Sequence, residues 1–552
     1  MKHFIKSLLT ALLLQMSLAV GGMNVSSSLE QCIISHDWDS MNHTVNKSVQ
    51  SEDELILNSR KSIKILCFGN SFTQDAFAYV PFILKNIAPE LDVTIGIAYI
   101  SGCTLQQHYV NFTGKDTIAD GRTWTPKEYV FYKNINAGAW VYTYSGLDNI
   151  LADDDWDIVT FQQSSGYSIR DYDKYYKPYI NKLHEFLLTR LGRDVSIAWN
   201  LVHSAYPDSE TVLQENWCKI MENTQKVVNN TNTTIVFPYG TAIQNLRTLS
   251  FINNVGDTKF LLADTAHLQD GLGCLCAAYV NALVILKALG INDVDIIGDD
   301  ININLSFVLK NKIPGTNLGE SRTVVGINEL NVYLAQIAAT KAFEEPYKIT
   351  ELFEYIPNYN VSINFGGYAT MYLDYSVEIP LGVEVYTANR VEGDMLILSP
   401  VAEQIPANTG VIIKGQEGTY SFTPCSEVYD TISGNLLLGT VYDTDIKPAD
   451  NMVAYVLSQV DGIVGFYRAM LNDNGTFKNN ANKVYMLLVD NCEASKSNSL
   501  FLDYGNYPLQ CISAQSETED NGPVVYYDLT GRRCINPRNG IYVVSGNKVL
   551  IK

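Results

Sequence analysis

Two short stretches of this sequence hold the residue types that nucleophilic catalysis needs. The first is Gly69-Asn70-Ser71-Phe72-Thr73, where a short apolar run, Ile63–Phe68, ends and a helix-like pattern begins within a few residues. A serine at such a turn sits at the tip of a strand and the start of a helix. Its hydroxyl is placed for attack, and its own N–H can point at a developing oxyanion. The second stretch is Asp264-Thr265-Ala266-His267, followed by Leu268, Gly271 and an apolar helical run. An imidazole can take the serine proton on one nitrogen while a carboxylate orients it through the other, and an Asp three residues ahead on one turn is spaced to do this. Singly, each stretch is weak, because Gly, Asn and Ser commonly cap strand-to-helix turns and Asp-x-x-His arises easily by chance. Their order and setting together carry the inference.

The elements that must position them can be read from the alternation of short β-branched runs with longer amphipathic ones. Ile63–Phe68 is followed by Ala76–Ala88, then Val93–Tyr99; Ile158–Phe161 by Asp173–Leu191; Val195–Leu201 by Glu210–Val228; and then comes Thr234–Phe237. This predicts a parallel sheet with helices on both faces, whose active-site loops stand at the C-terminal ends of the strands. Leu272–Leu289 is apolar but interrupted by Asn281 and Lys287, which suits a buried helix rather than a membrane span. From about Ile349 the pattern changes to short alternating runs, among them Ala369–Tyr375, Gly410–Lys414 and Val453–Leu457, as in an all-β sandwich.

With the serine after the first strand and Asp-x-x-His before the last helix, the chain from about Lys61 to Phe343 resembles the SGNH (GDSL-type) hydrolase superfamily, in a Bacteroidetes-type branch of SGNH-like domains. Ile65–Thr73, Pro238–Arg247 and Asp264–Gly273 carry the resemblance. It implies a flavodoxin-like three-layer α/β fold, with Ser71 as nucleophile, His267 as general base and Asp264 as its orienting partner. The family's second block supplies an oxyanion-hole glycine, and Gly102 in Ile100-Ser101-Gly102-Cys103 stands where it belongs. The hole would then be formed by Ser71, Gly102 and a side-chain amide. The third block departs from the family: Phe161-Gln162-Gln163-Ser164-Ser165-Gly166 has no Asn, so Gln163, or Gln162, is the expected substitute donor. Asn70 replaces the usual Asp before the serine, and Asn70 and His203 are positions that could line the pocket. His108 and His184 are read as surface or helix positions without a role.

Gly367–Pro380, Ile405–Gly415 and Gly434–Thr440 resemble an accessory β-sandwich module of secreted Bacteroidetes proteins. The ending, Tyr526–Arg533 with Gly540–Val544, is similar to C-terminal tails of such proteins, some of which act as sorting signals. The expected plan is a signal peptide over 1–22, a spacer over 23–60, the hydrolase domain over 61–348, the β-sandwich over 349–510 and a β tail over 511–552.

Composition narrows the partners. A chain of 552 residues calls for two or three folded units, and 46% hydrophobic with 18% charged residues rules out disorder over most of it. The net charge of −20 opposes phosphodiester backbones, so no nucleic-acid partner is expected. Lys2 and Lys6 precede an apolar stretch from Leu8 to Val20, with small residues at Ala19 and Gly21. This is the plan of a secretory signal peptide, too short for a span, so the product is expected to be exported to the periplasm, cell surface or medium. The ten cysteines show no framework; most read as buried apolar residues, with Cys425/Cys492 and Cys511/Cys534 as pairs to test for bridging. No metal and no cofactor are implied. The resulting expectation is an esterase that removes acetyl or similar acyl groups from a small-molecule or glycan ester. A degenerate, non-catalytic glycan- or protein-binding surface protein and a lipid esterase stand as alternatives.

Overall fold

The strand that ends at the candidate serine, β1 (Ser62–Gly69), is apolar along most of its length and buried on both faces. A central strand of a parallel sheet covered by helices on each side must be built this way. The computed structural model describes residues 61–504 except 115–122, 194, 206–208, 253–260, 265, 293, 298–325, 365, 426–431 and 491–496, and beyond these the backbone of four short strands between Tyr526 and Ile551. The signal peptide and spacer expected over residues 1–60 lie outside the described residues. Two compact units divide the chain between Tyr355 and Ile356.

In the first unit β1 is followed by α1 (Ser71–Phe77), α2 (Val80–Ile87), β2 (Asp92–Tyr99) and α3 (Leu105–Thr113). Next come β3 (Tyr129–Ile135), β4 (Val141–Ser145), α4 (Leu147–Ala152), β5 (Ile158–Phe161), α5 (Lys177–Leu191), β6 (Ser196–Asn200), α6 (Glu210–Asn230) and β7 (Thr233–Phe237). The unit closes with α7 (Tyr239–Leu246), α8 (Leu272–Ala288) and α9 (Glu329–Glu344). The sheet order is β4-β3-β2-β1-β5-β6-β7. β2, β1, β5, β6 and β7 run parallel, while β3 and β4 add an antiparallel hairpin at one edge. Helices α1, α2, α7, α8 and α9 pack together over one face, and α3, α4, α5 and α6 cover the other.

The helix expected over Ala76–Ala88 is two helices. Pro81 at the start of α2 has no N–H to donate to Phe77 and its ring excludes a continuous turn, so α1 stops at Phe77. Helix α8 is buried on nearly all sides, which explains its apolar sequence, and Asn281 within it donates to the Ala76 carbonyl of α1 at 3.1 Å. Among the described residues no helix is long and apolar enough to cross a membrane. Cys67, Cys103, Cys274 and Cys276 are buried thiols, and Cys218 on α6 is disulfide-bonded, a pairing its spacing does not announce. Cys492 and Cys511, and with them both cysteine pairs singled out for bridging, lie outside the described residues.

The second unit is β-rich. Where the alternating runs suggest two stacked sheets, the long strands form one nine-stranded sheet, from Leu437–Thr440 at one edge to Tyr368–Met371 at the other. The sheet curls until its ends approach: Tyr372 N–H donates to the Asn482 carbonyl at 3.1 Å and Val484 N–H to Thr370 Oγ1 at 3.4 Å. The interior is an apolar cluster that includes Leu398, Ile412, Tyr455, Phe466 and Met486. Four short strands of the tail, from Tyr526–Tyr527 to Asn547–Ile551, form a separate small sheet.

Two histidines differ from their expected placement. His108 on α3 and His184 on α5 are helical but buried, both against Phe161. His108 Nδ1 meets Tyr129 Oη at 3.0 Å. Burial disfavours the charged imidazolium and pushes the pKa of His108 down to about 3 and that of His184 to about 4. The unfolded chain therefore binds protons below the ordinary value near 6.5 that the fold refuses. The stability contributed by the neutral rings is complete above that value and is lost as pH falls toward the folded values. At about pH 5 the loss is on the order of 2 kcal/mol for each ring. Urea midpoints measured at pH 7 and pH 5 should show this loss, and His184→Leu should flatten the dependence; equal slopes for variant and wild type would count against it.

Candidate active site

The C-terminal end of β1 lies at the point where the sheet order reverses, with β2 on one side and β5 on the other. Loops leaving neighbouring strands there diverge and open a crevice. Ser71 is the first residue of α1, where backbone N–H groups have no intrahelical acceptor. Asn70 caps the helix, its Oδ1 accepting from Phe72 N–H at 3.0 Å.

Asp264 and His267 reach the same crevice on a tight loop before α8. Ala263 N–H donates to the His267 carbonyl at 2.9 Å, and Gln269 N–H to that of Leu261 at 2.8 Å. Asp264 Oδ1 accepts from the backbone N–H groups of Ala266 at 2.7 Å and His267 at 2.8 Å. Its Oδ2 lies 2.7 Å from His267 Nδ1. Because a carboxylate only accepts, Nδ1 carries the proton, which leaves the Nε2 lone pair for Ser71 Oγ at 2.9 Å. Burial pulls the Asp264 pKa upward, but the hydrogen bonds from the backbone and ring of His267 and from Ala266 outweigh it and hold the carboxyl below its ordinary value. The loop is anchored to the nucleophile helix by Leu268 N–H, which donates to the buried Asp75 carboxylate at 2.9 Å. It also lies so close to α8 that a Cβ at Gly273 would overlap the Leu261 carbonyl. The side chains of His267 and Asp264 are 24% and 50% exposed, so the site opens to solvent.

Gly102 occupies the third position of the turn closed by Cys103 N–H to the Ile100 carbonyl at 3.1 Å, with φ of +61°. Such a turn demands a positive φ there, which glycine supplies without strain, and leaves the glycine N–H outside the turn's own bond. Space beyond its Cα is open.

The two glutamines and the two suggested pocket residues are used differently from the expectation. Gln163 is buried, donates from Nε2 to the Tyr175 carbonyl at 3.1 Å, and accepts at Oε1 from Leu105 N–H at 3.1 Å and Ser164 N–H at 3.0 Å. It fastens the loop after β5 to the start of α3. Gln162 donates to Asn70 Oδ1 at 2.9 Å and accepts from Asn200 at 3.2 Å. Asn70 is itself buried and donates to the Cys103 carbonyl at 2.9 Å. An Asp at this position could not make that bond, so the departure from Asp is matched to the turn it holds. His203 is buried rather than open to the pocket, its Nε2 2.7 Å from the Ala266 carbonyl. Sequence reasoning missed Asp75, whose only signal is its position one helical turn after Ser71.

A charged groove at the opposite, N-terminal end of the strands includes Asp148, Asp155, Arg190 and Arg193. Arg190 pairs with Asp148 at 3.3 Å and Arg193 with Asp155 at 3.9 Å, so these charges serve each other far from Ser71. Among the described residues no group of three or more His, Cys, Asp or Glu side chains could hold a metal ion.

The first unit is thus an α/β domain whose parallel-strand crevice gathers a Ser–His–Asp hydrogen-bond chain. Residues 64–294 match a family described as a domain of unknown function, DUF4886. No curated protein matches the chain. Among solved structures it is similar to a DUF4886 family protein from Bacteroides uniformis ATCC 8492, with 25% identity, 53% of this chain and 99% of that one covered, and a TM-score of 0.41. It is also similar to a gut microbial diltiazem-metabolizing enzyme, with 16% identity, 42% of this chain and 48% of that one covered, and a TM-score of 0.26. Both superpositions are loose, and neither bears on what this chain does.

The bonding of Gln163 has a measurable consequence. Gln163→Leu leaves two buried N–H groups without an acceptor and should destabilise the unit by roughly 2–4 kcal/mol in urea unfolding. Unchanged stability together with lost reaction at Ser71 would instead return Gln163 to the oxyanion hole.

Proposed function

We propose that the first unit is a serine esterase of the SGNH type, with a flavodoxin-like three-layer fold, acting on acyl esters of carbohydrate and exported from the cell. The observation that carries this reading is the continuous chain from Ser71 Oγ through His267 to Asp264, at 2.9 and 2.7 Å, at the crevice end of a parallel strand. In the proposed reaction Ser71 Oγ attacks the acyl carbon as its proton passes to His267 Nε2, and Asp264 stabilises the imidazolium. The oxyanion is met by the N–H groups of Ser71 and Gly102. Collapse expels the alcohol, which takes the proton from His267. Water activated by the same nitrogen then attacks the acyl-serine and releases the acid and Ser71.

The open placement of His267 and Asp264 supports a bulky, polar alcohol as leaving group, which a sugar is, and acetyl is the acyl group we favour. Export is supported by the signal-like N-terminus and by the disulfide at Cys218, since disulfides persist in oxidising compartments. The second unit is proposed to be an accessory module, with the tail as a sorting element.

One observation favours a second reading, a binding protein that has lost turnover: both glutamine amides donate elsewhere, to Asn70 and Tyr175. A fluorophosphonate probe separates the two. The esterase should be labelled at Ser71, and p-nitrophenyl acetate and acetylated oligosaccharide should release their acyl groups. Ser71→Ala should abolish both, and Asp264→Asn should lower kcat by ~10²–10⁴. A folded protein that takes no label and cleaves no activated ester would sink the esterase reading.

A further inference from the structure

We propose that His203 is a positioning residue that aims His267 at Ser71 by gripping the peptide before it, an inference that rests on reading Ser71, His267 and Asp264 as a triad. The Ala266–His267 peptide is held at both ends. Its N–H is donated to Asp264 Oδ1 at 2.8 Å, and its carbonyl lies 2.7 Å from His203 Nε2. A carbonyl can only accept, so Nε2 bears the proton and the neutral ring leaves Nδ1 bare; no partner takes it among the described residues. Burial favours this neutral form, pushing the His203 pKa down to about 3, so the donor is constant across the range in which an esterase works.

The same ring reaches the nucleophile. It stacks on Phe72, the residue after Ser71, with centroids 4.1 Å apart and planes 25° from parallel. Phe72 in turn stands edge-on to His267, with centroids 6.2 Å apart. One side chain therefore touches both halves of the triad, the helix start that carries Ser71 and the peptide that carries His267. Its own backbone is fixed from below. Leu201 N–H donates to the Phe237 carbonyl at 3.0 Å and Gly240 N–H to that of Leu201 at 2.8 Å. Gly240 lets α7 approach Val202, where a Cβ would overlap the carbonyl. The loop bearing Asp264 and His267 thus takes its position from β6 and α7 as well as from α1.

The test separates donor from ring. H203F keeps an aromatic face on Phe72 but removes the donor; H203Q places an amide N–H near the position of Nε2 but removes the ring. H203F should lower kcat for p-nitrophenyl acetate by ~10–100-fold with KM little changed, because a small misplacement of a reacting group is felt in the chemical step. It should also speed amide hydrogen exchange at Leu268 and Gln269. H203Q should restore most of kcat and the exchange protection. A merely structural role would change the melting temperature and leave kcat and KM alone. H203F with wild-type kcat and wild-type exchange at Leu268 would overturn the proposal. If H203F does not fold, H203Q decides: kcat near wild type upholds it, and a drop as large as that expected of H203F refutes it. Wild-type protein that neither cleaves the ester nor takes the fluorophosphonate would defeat the proposed reaction alone, and the exchange measurement would still decide the role of His203.

Discussion

The candidate site depends on one bond, the donation of Leu268 N–H to the buried Asp75 carboxylate at 2.9 Å. Ser71 and His267 lie far apart in sequence, on a helix start and a loop that share no strand, yet they meet at 2.9 Å. A carboxylate held away from water is costly unless hydrogen-bonded, and Leu268 N–H supplies one such bond to Asp75. The anchor lies on the same short helix as Ser71, so the loop that carries the base is referenced directly to the helix that carries the nucleophile. Asn281 of α8 ties that helix to the element following the loop, through the Ala76 carbonyl. Each side of the hydrogen-bond chain is therefore referenced to the other by buried polar contacts rather than by apolar packing alone.

Beneath the crevice runs a second layer of polar contacts. Thr160 donates to Asn200, Asn200 to Gln162, Gln162 to Asn70 and Asn70 to the Cys103 carbonyl. It crosses from β5 and β6 to the end of β1 and on to the Gly102 turn after β2. In a low-dielectric floor such a chain is rigid only when its members are paired, and a break at one point leaves a neighbour's donor or acceptor stranded. The layer fixes where the turn bearing Gly102 stands relative to Ser71. The backbone groups facing the crevice are set by side chains lying under it.

The parallel strands were legible because strands buried on both faces read as unbroken apolar runs, and β1, β2, β5, β6 and β7 fall on the expected runs. The hairpin of β3 and β4 was not legible: Tyr129–Ile135 mixes buried aromatics with Lys133 and Asn134, and β4 is largely exposed, so neither carries the period of a half-buried strand. The pairing of Ser71 with Asp264 and His267 could be read from order and spacing. The partners that hold them could not, because Asp75 and His203 are joined to the loop by tertiary contacts with no local signature. The bonds that Gln162 and Gln163 make were not legible for a related reason. A side-chain amide in the expected block says what could donate, while the acceptors that claim it, Asn70 and the Tyr175 carbonyl, lie elsewhere in the chain.

That commitment bears on the proposed chemistry. In the proposed reaction the oxyanion would be met by the N–H groups of Ser71 and Gly102, while one N–H of each glutamine amide is spent on Asn70 and on the Tyr175 carbonyl. One donor is worth ~10²–10³ in rate, so a two-donor hole lowers the ceiling on turnover without removing the means of it. In that proposed reaction the loss would fall on the step that builds negative charge on oxygen, while the hydrogen-bond chain from Asp264 through His267 to Ser71 stands at 2.7 and 2.9 Å. On the proposed reading, a serine in such a chain beside a two-donor hole would suit esters whose acyl carbon is unhindered and whose alcohol departs readily. A small acyl group on a sugar hydroxyl meets the first requirement directly. It meets the second through the proton that His267 returns to the leaving oxygen.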